Sequence, residues 1–265
     1  MDEEEVLYPI SVAIPPLLRN LAVDLKVTKF VEAMWRFMFY FFFFIVGYVV
    51  LFVPDVAVWI SDSKELWKDW PFHPVSPAIQ FYYQVELGAY LHQLMWTEVS
   101  RSDAVEMMIH HVVTVVLLSF SYLTNFTRIG TYILFVHDSA DIFLELGKIF
   151  NYVQRVRHAK WAGTVTDGFF AIFTITFFIT RLYIYPRYLV FGFVDGAYRH
   201  FGVWPGYYFY ASLLVTLQFL HIFWFFLILR VLYRLVVTGV VEKDSRSDDD
   251  DDVLDSDASE RNKHE

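Results

Sequence analysis

The 265-residue chain contains no cysteine. That absence removes disulfides, thiolate nucleophiles and Cys-ligated metals, so any covalent chemistry must use another side chain. The start, "MDEEEVLYPI", lacks the basic n-region of a secretory signal, and prolines break "YPISVAIPPLL" before it reaches spanning length, so no cleaved signal is expected. A Gly-rich phosphate loop is missing, as is a basic surface interleaved with aromatics, so no nucleic-acid partner is expected. Charge is scarce as well, at 19% of residues, and much of the net charge of -9 comes from "DSRSDDDDDVLDSDASE" near the end. That run is too acidic and too poor in apolar residues to fold alone.

Apolar residues are abundant: 56% of the chain is hydrophobic and 20% aromatic, with a mean hydropathy of +0.40. Such a composition belongs to an integral membrane protein. A bilayer-crossing helix needs roughly 20 mainly apolar residues, and about six stretches qualify: 34–53, 79–98, 106–124, 129–147, 164–184 and 210–230. Segments such as "FLHIFWFFLIL" are apolar on every side, whereas strands of a membrane barrel would alternate. The expected fold is therefore an all-α polytopic bundle of transmembrane helices around a polar intramembrane site.

Basic residues in the connections set orientation. Arg19, Lys26, Lys29 and Arg36 precede or open the first span, Arg155, Arg157 and Lys160 follow the fourth, and Arg234, Lys243 and Arg246 follow the sixth. An even number of spans places all three groups on one side, taken as cytosolic together with the C-terminus. The 54–78 connection balances its lysines with acids and carries Trp59, Trp67 and Trp70, as an interfacial loop on the opposite face does. The expected division is a cytosolic segment, 1–29, a membrane domain, 30–242, and an acidic disordered tail, 243–265. Within the tail, Ser247, Ser256 and Ser259 lie among acids, a setting that suits acidophilic kinases, against the plainer reading of a solubilising tail. The sequon Asn125-Phe126-Thr127 falls in a turn close to the bilayer and is expected to stay unmodified.

Ionisable side chains inside spans are costly and by default mark function or interior pairing. Here they cluster. "MMIHHVVTVVLLSF" places His110 and His111 at the mouth of an apolar run. In the next span, "HDSADIFLELGK" repeats polar groups at helical spacing, so His137, Asp138, Asp141, Glu145 and Lys148 form one stripe. Counting outward from the short turn at Phe126, His111 and Asp141 should share a depth of roughly 22 Å at 1.5 Å per residue, with His137 opposite Thr114 or Val115. Such a group suits proton transfer, because a carboxylate fixes a histidine's tautomer and supports its imidazolium. It equally suits a Zn or Fe site, but the HExxH and multiple HxxHH boxes are missing, so no metal is expected. Taken singly, a membrane histidine is more often a helix-helix hydrogen-bonding residue; His92, His221 and Arg181 are read that way, with His221 the strongest secondary candidate.

"HHVVT" followed by "HDSADIFLELGK" resembles the Lag motif of the ceramide synthases, sphingoid-base N-acyltransferases with a TLC domain. "KFVEAMWRFMFY", "LLVTLQFLHIFWFFLILR" and "EKDSRSD" extend the similarity over about 28–248. The resemblance implies transfer of a fatty acyl group from acyl-CoA, a co-substrate, to the amine of sphinganine or sphingosine, with no cofactor. It implies an endoplasmic reticulum membrane protein that associates as a homo- or heterodimer. The motif carries over to His110, His111, His137, Asp138, Asp141, Glu145 and Lys148, with His110 or His111 as nucleophile or general base and Asp138 or Asp141 as support. "YRHFGVWPGYYFYASLL" sits where the family sets acyl length; Trp204, Gly206, Tyr207, Tyr208 and Phe209 resemble the very-long-chain branch, while an interfacial aromatic belt is the plainer reading. Some TLC-domain relatives bind or regulate lipids instead, and the complete motif set weighs against that alternative.

Overall fold

The structure, a computed structural model, describes residues 16–52, 65–95, 103–157 and 159–238. Ser247, Ser256, Ser259 and Trp59 lie outside the described residues. The elements, in order, are α1 (Pro16–Phe52), α2 (Pro77–Met95), α3 (Ala104–Leu123), α4 (Thr127–Arg157), α5 (Lys160–Phe177), a π-helical segment (Phe178–Val190), α6 (Phe191–Phe201) and α7 (Pro205–Thr238). Among the described residues there is no strand. The chemistry is that of a solvent without water: a helix satisfies its own backbone hydrogen bonds within one segment. Pro16, Pro77 and Pro205 each open a helix, where the missing N–H has no intrahelical partner to lose.

Among the described residues, four helical stretches are long and apolar enough to cross a membrane: Val27–Phe52, Ala104–Leu123, Trp161–His200 and Pro205–Leu235. Helices α2 and α4 are the other two of the expected set; among their polar residues Glu86 of α2 and His137, Asp138 and Glu145 of α4 are buried. At 1.5 Å per residue the 19 residues of α2 extend about 28 Å, close to the thickness of a bilayer's hydrocarbon core.

The fifth span departs from expectation. It does not stop near 184 but continues through the π-helical segment into α6, ending at Phe201. Pro186 lies inside this run, and the wider π turn accommodates a residue that cannot donate a backbone hydrogen bond. The expected loop at 198–214 therefore shrinks to Gly202–Trp204, where Gly202, at φ +67°, ends α6 in a conformation that favours glycine.

Helix α4 is central and touches α1, α2, α3, α5 and the π segment, while α7 packs on α3 and the π segment. Segment 65–76 folds over the α3–α4 turn. Trp70 Nε1 donates to the Thr124 carbonyl (3.0 Å), and the Asn125 amide donates to the carbonyls of Pro71 (2.6 Å) and His73 (2.9 Å). Asn125 thus helps to hold the turn.

Candidate active site

His110 and His111 follow one another on α3, yet both are buried, because α3 is flanked on two sides. Consecutive helical residues point about 100° apart, so the two rings meet different neighbours. His110 faces the bundle centre, 5.3 Å from the Trp224 ring of α7 and 6.3 Å from the His137 ring of α4. Tyr90 of α2 lies 6.2 Å from His110 and 6.1 Å from His111, and the two imidazoles are 5.4 Å apart. His137 and Thr114 both border one apolar cavity, and the His137 ring is within 6.3 Å of His110, one turn further along α3.

The geometry fixes the tautomer of His137. Its Nδ1 is 2.8 Å from the Ile133 carbonyl, which only accepts, so Nδ1 carries the hydrogen. In the neutral ring Nε2 is then an acceptor, and its neighbour at 3.0 Å, His221 Nε2, must be the donor. Both nitrogens of His137 are occupied. His221, fully buried on α7, is held edge-on by Tyr185 at 4.9 Å. This leaves His110 and His111 as the imidazoles not engaged in that pair.

The expected polar stripe divides. Asp138 turns toward α2, where Tyr82 donates to its Oδ2 at 3.0 Å and the buried Glu86 is a second hydrogen-bonding neighbour. Asp141 turns toward the π segment and pairs with Arg181 at 2.8 Å. The same Arg181 nitrogen donates to the His137 carbonyl at 3.0 Å, and its guanidinium lies over the Phe177 ring at 4.9 Å. Glu145 and Lys148 form a pair of their own at 2.7 Å. One stripe in sequence therefore serves α2, the π segment and, through His137, α7, while Glu145 and Lys148 pair within α4 itself.

An apolar cavity with about 530 Å³ of non-atom space, part of it open to the outside, lies below His137. It begins at His137, Tyr90 and Thr114 and runs between α3, α4, α6 and α7 to Phe126 and Tyr210. Trp204 stacks on Phe126 at 6.4 Å, and Gly206 makes room for it, since a Cβ there would meet the Trp204 ring at 1.5 Å. Tyr207 stacks on Phe193 (6.4 Å) and Phe209 meets Phe120 edge-on (5.1 Å), while Tyr208 is exposed. Among the described residues, no group of three or more His, Asp or Glu is arranged to hold a metal ion.

Sequence reasoning missed Tyr82, Glu86 and Tyr90, which share one face of α2 at i, i+4 and i+8. Glu86, a lone carboxyl in "FYYQVELGAYL", was the signal available. It also missed Asp103, whose Oδ2 accepts from Trp224 Nε1 at 3.1 Å and ties the start of α3 to α7 beside His110.

The profile of the TLC domain matches residues 29–230. The chain belongs to the TLC-domain family. It is 40% identical to ceramide synthase 4 of Homo sapiens over 234 residues, 88% of this chain and 56% of that protein. Ceramide synthase 5 of Homo sapiens is 36% identical over 87% of this chain and 57% of its own length. Ceramide synthase hyl-1 of Caenorhabditis elegans is 38% identical over 84% of this chain and 61% of its own length. The chain spans little more than half the length of the curated relatives it matches.

Proposed function

We propose that this TLC domain is a ceramide synthase, transferring a fatty acyl group from acyl-CoA to the amine of sphinganine or sphingosine. The observation that carries the reading is an apolar cavity that ends at His137, with the ring of the buried His110 6.3 Å from the His137 ring. A thioester carbonyl placed at His110 can send its hydrocarbon chain down the cavity toward Phe126. The sequence similarity to ceramide synthases supports the same chemistry, and the proposal includes an endoplasmic reticulum membrane setting, association as dimers and, from the basic residues of the connections, a cytosolic C-terminus.

The preferred route is covalent. An unprotonated imidazole nitrogen attacks the thioester carbonyl, the carbonyl carbon–sulfur bond breaks, and coenzyme A leaves as the thiol after taking a proton. The sphingoid amine then attacks the acyl-imidazole, a carbon–nitrogen amide bond forms, and the histidine is released with the amine's proton. His110 is the preferred nucleophile, because its ring faces the cavity end at His137 while His111 is turned toward α2. Asp138 and Asp141 support the site through α4 and its partners. In the rival route the histidine is a general base for direct transfer.

Intact-mass measurement after exposure to acyl-CoA without acceptor tests the proposal, with His110→Ala and His111→Ala beside the wild type. The expected result is an acyl adduct absent from His110→Ala and discharged by sphinganine to N-acyl product. Product without an adduct would leave direct transfer. Absence of both would favour a TLC domain that binds lipid without acylating it.

A further inference from the structure

We infer that Phe126, at the α3–α4 turn, is the floor of the cavity and limits the length of chain it accepts. The inference rests on the acyltransferase reading. Along α4 the lining residues fall on one face, from His137 through Ile133 and Gly130 to Phe126. At 1.5 Å per residue the descent from His137 to Phe126 is about 16 Å. One end lies at His137, 6.3 Å from the His110 ring, and the far end is closed by aromatic rings. An acyl chain with its carbonyl at His110 therefore meets Phe126 with its terminal methyl.

Phe126 is held so that it cannot swing aside. It is buried, with Trp70 stacked on it at 4.8 Å and 11° between planes, and Tyr210 edge-on at 5.1 Å. Phe193, Trp67 and Trp204 complete the enclosure at 5.8, 6.0 and 6.4 Å. The turn that carries it is fixed as well: Thr124 Oγ1 and the Tyr210 hydroxyl share a hydrogen bond of 2.7 Å, and Trp70 donates to the Thr124 carbonyl. The segment before α7, where sequence alone placed length selection, reaches the cavity end through Trp204 behind Phe126. The 65–76 segment, distant in sequence, supplies two of the enclosing rings.

The experiment gives the purified full chain sphinganine and an equimolar series of acyl-CoAs of graded length, and resolves the N-acyl products by mass. For Phe126→Ala the ratio of longest to shortest product should rise severalfold over wild type. For Ile129→Trp, which fills the cavity above the floor, it should fall severalfold. Phe126→Leu keeps an apolar group in place and should shift the ratio the same way as alanine by less, which maintains the test should the alanine variant fail to accumulate. Product formed with unchanged ratios in Phe126→Leu and Ile129→Trp would overturn the floor assignment and leave the acyltransferase reading intact. A wild-type protein that makes no product from any acyl-CoA would overturn the reading itself.

Discussion

His137 Nε2 lies 3.0 Å from His221 Nε2, and the Ile133 carbonyl at His137 Nδ1 makes His221 the donor of that bond. A side chain that supplies an N–H at this point should preserve the pair; one that supplies none strands a buried acceptor, at a cost of about 1–3 kcal/mol. His221→Gln should therefore unfold closer to wild type than His221→Leu when both are heated in detergent. Activity should follow the same order, because His137 borders the His110 ring and small misplacements near reacting groups cost up to about 100-fold. Equal stability of the two variants would contradict the assigned donor.

The Arg181–Asp141 pair is the one ion pair joining α4 to the π segment among the described residues. Replacing one member leaves a poorly compensated charge, worth about 3–5 kcal/mol for a buried pair. Arg181→Met alone should be strongly destabilising, and adding Asp141→Asn should recover part of the loss. A double-mutant cycle on thermal unfolding measures the coupling, and additive effects would show that the pair is not a stabilising unit.

Much of the fold follows from the apolar runs, because in a bilayer their length and uniformity leave helices as the only option. The end of the fifth span did not follow, since "LYIYPRYLV" carries a proline and arginine that read as a stop, while the π turn lets the helix pass. His110, His111 and His137 could be gathered from spacing and a common turn. What spacing could not show was the side each group faces: Asp138 and Asp141 are three residues apart and go to different helices. Tyr90 was equally hidden, and His221 could be singled out as a helix-helix hydrogen-bonding residue but not matched to His137, because such pairings depend on which helices pack together, and sequence periodicity carries no record of that.

Gly130 of α4 leaves room for the Tyr83 side chain of α2, since a Cβ there would overlap the Tyr83 hydroxyl oxygen. Small residues allow membrane helices to meet in this way. Gly130→Ala should destabilise by about 1–3 kcal/mol, as overpacked sites do, and should displace Tyr83 from Ser121, its neighbour at 3.4 Å. Tyr83→Phe removes the clashing oxygen, so the double variant should be more stable than Gly130→Ala alone. Thermal unfolding of the four proteins decides it; no rescue would mean that the hydroxyl oxygen of Tyr83 is not the group that limits the site.

His73, in the segment over the α3–α4 turn, gives the protein an acid sensitivity outside the spans. Burial, reinforced by the Arg128 guanidinium, pushes its pKa from 6.5 down to about 4, while Asp69 pulls the other way. Its Nε2 lies 3.3 Å from Thr127 Oγ1. Because the folded state favours the neutral ring, its contribution to stability is complete above pH 6.5. As pH falls, the unfolded chain takes up the proton first, so that contribution is lost between about 6.5 and 4 and does not change further below. His73→Gln, which does not titrate and can still bond Thr127, should match wild type near neutrality and unfold at a higher temperature than wild type at the acid end of that window. Thermal midpoints of both proteins across the window provide the measurement. Parallel curves would mean that His73 does not carry the acid loss.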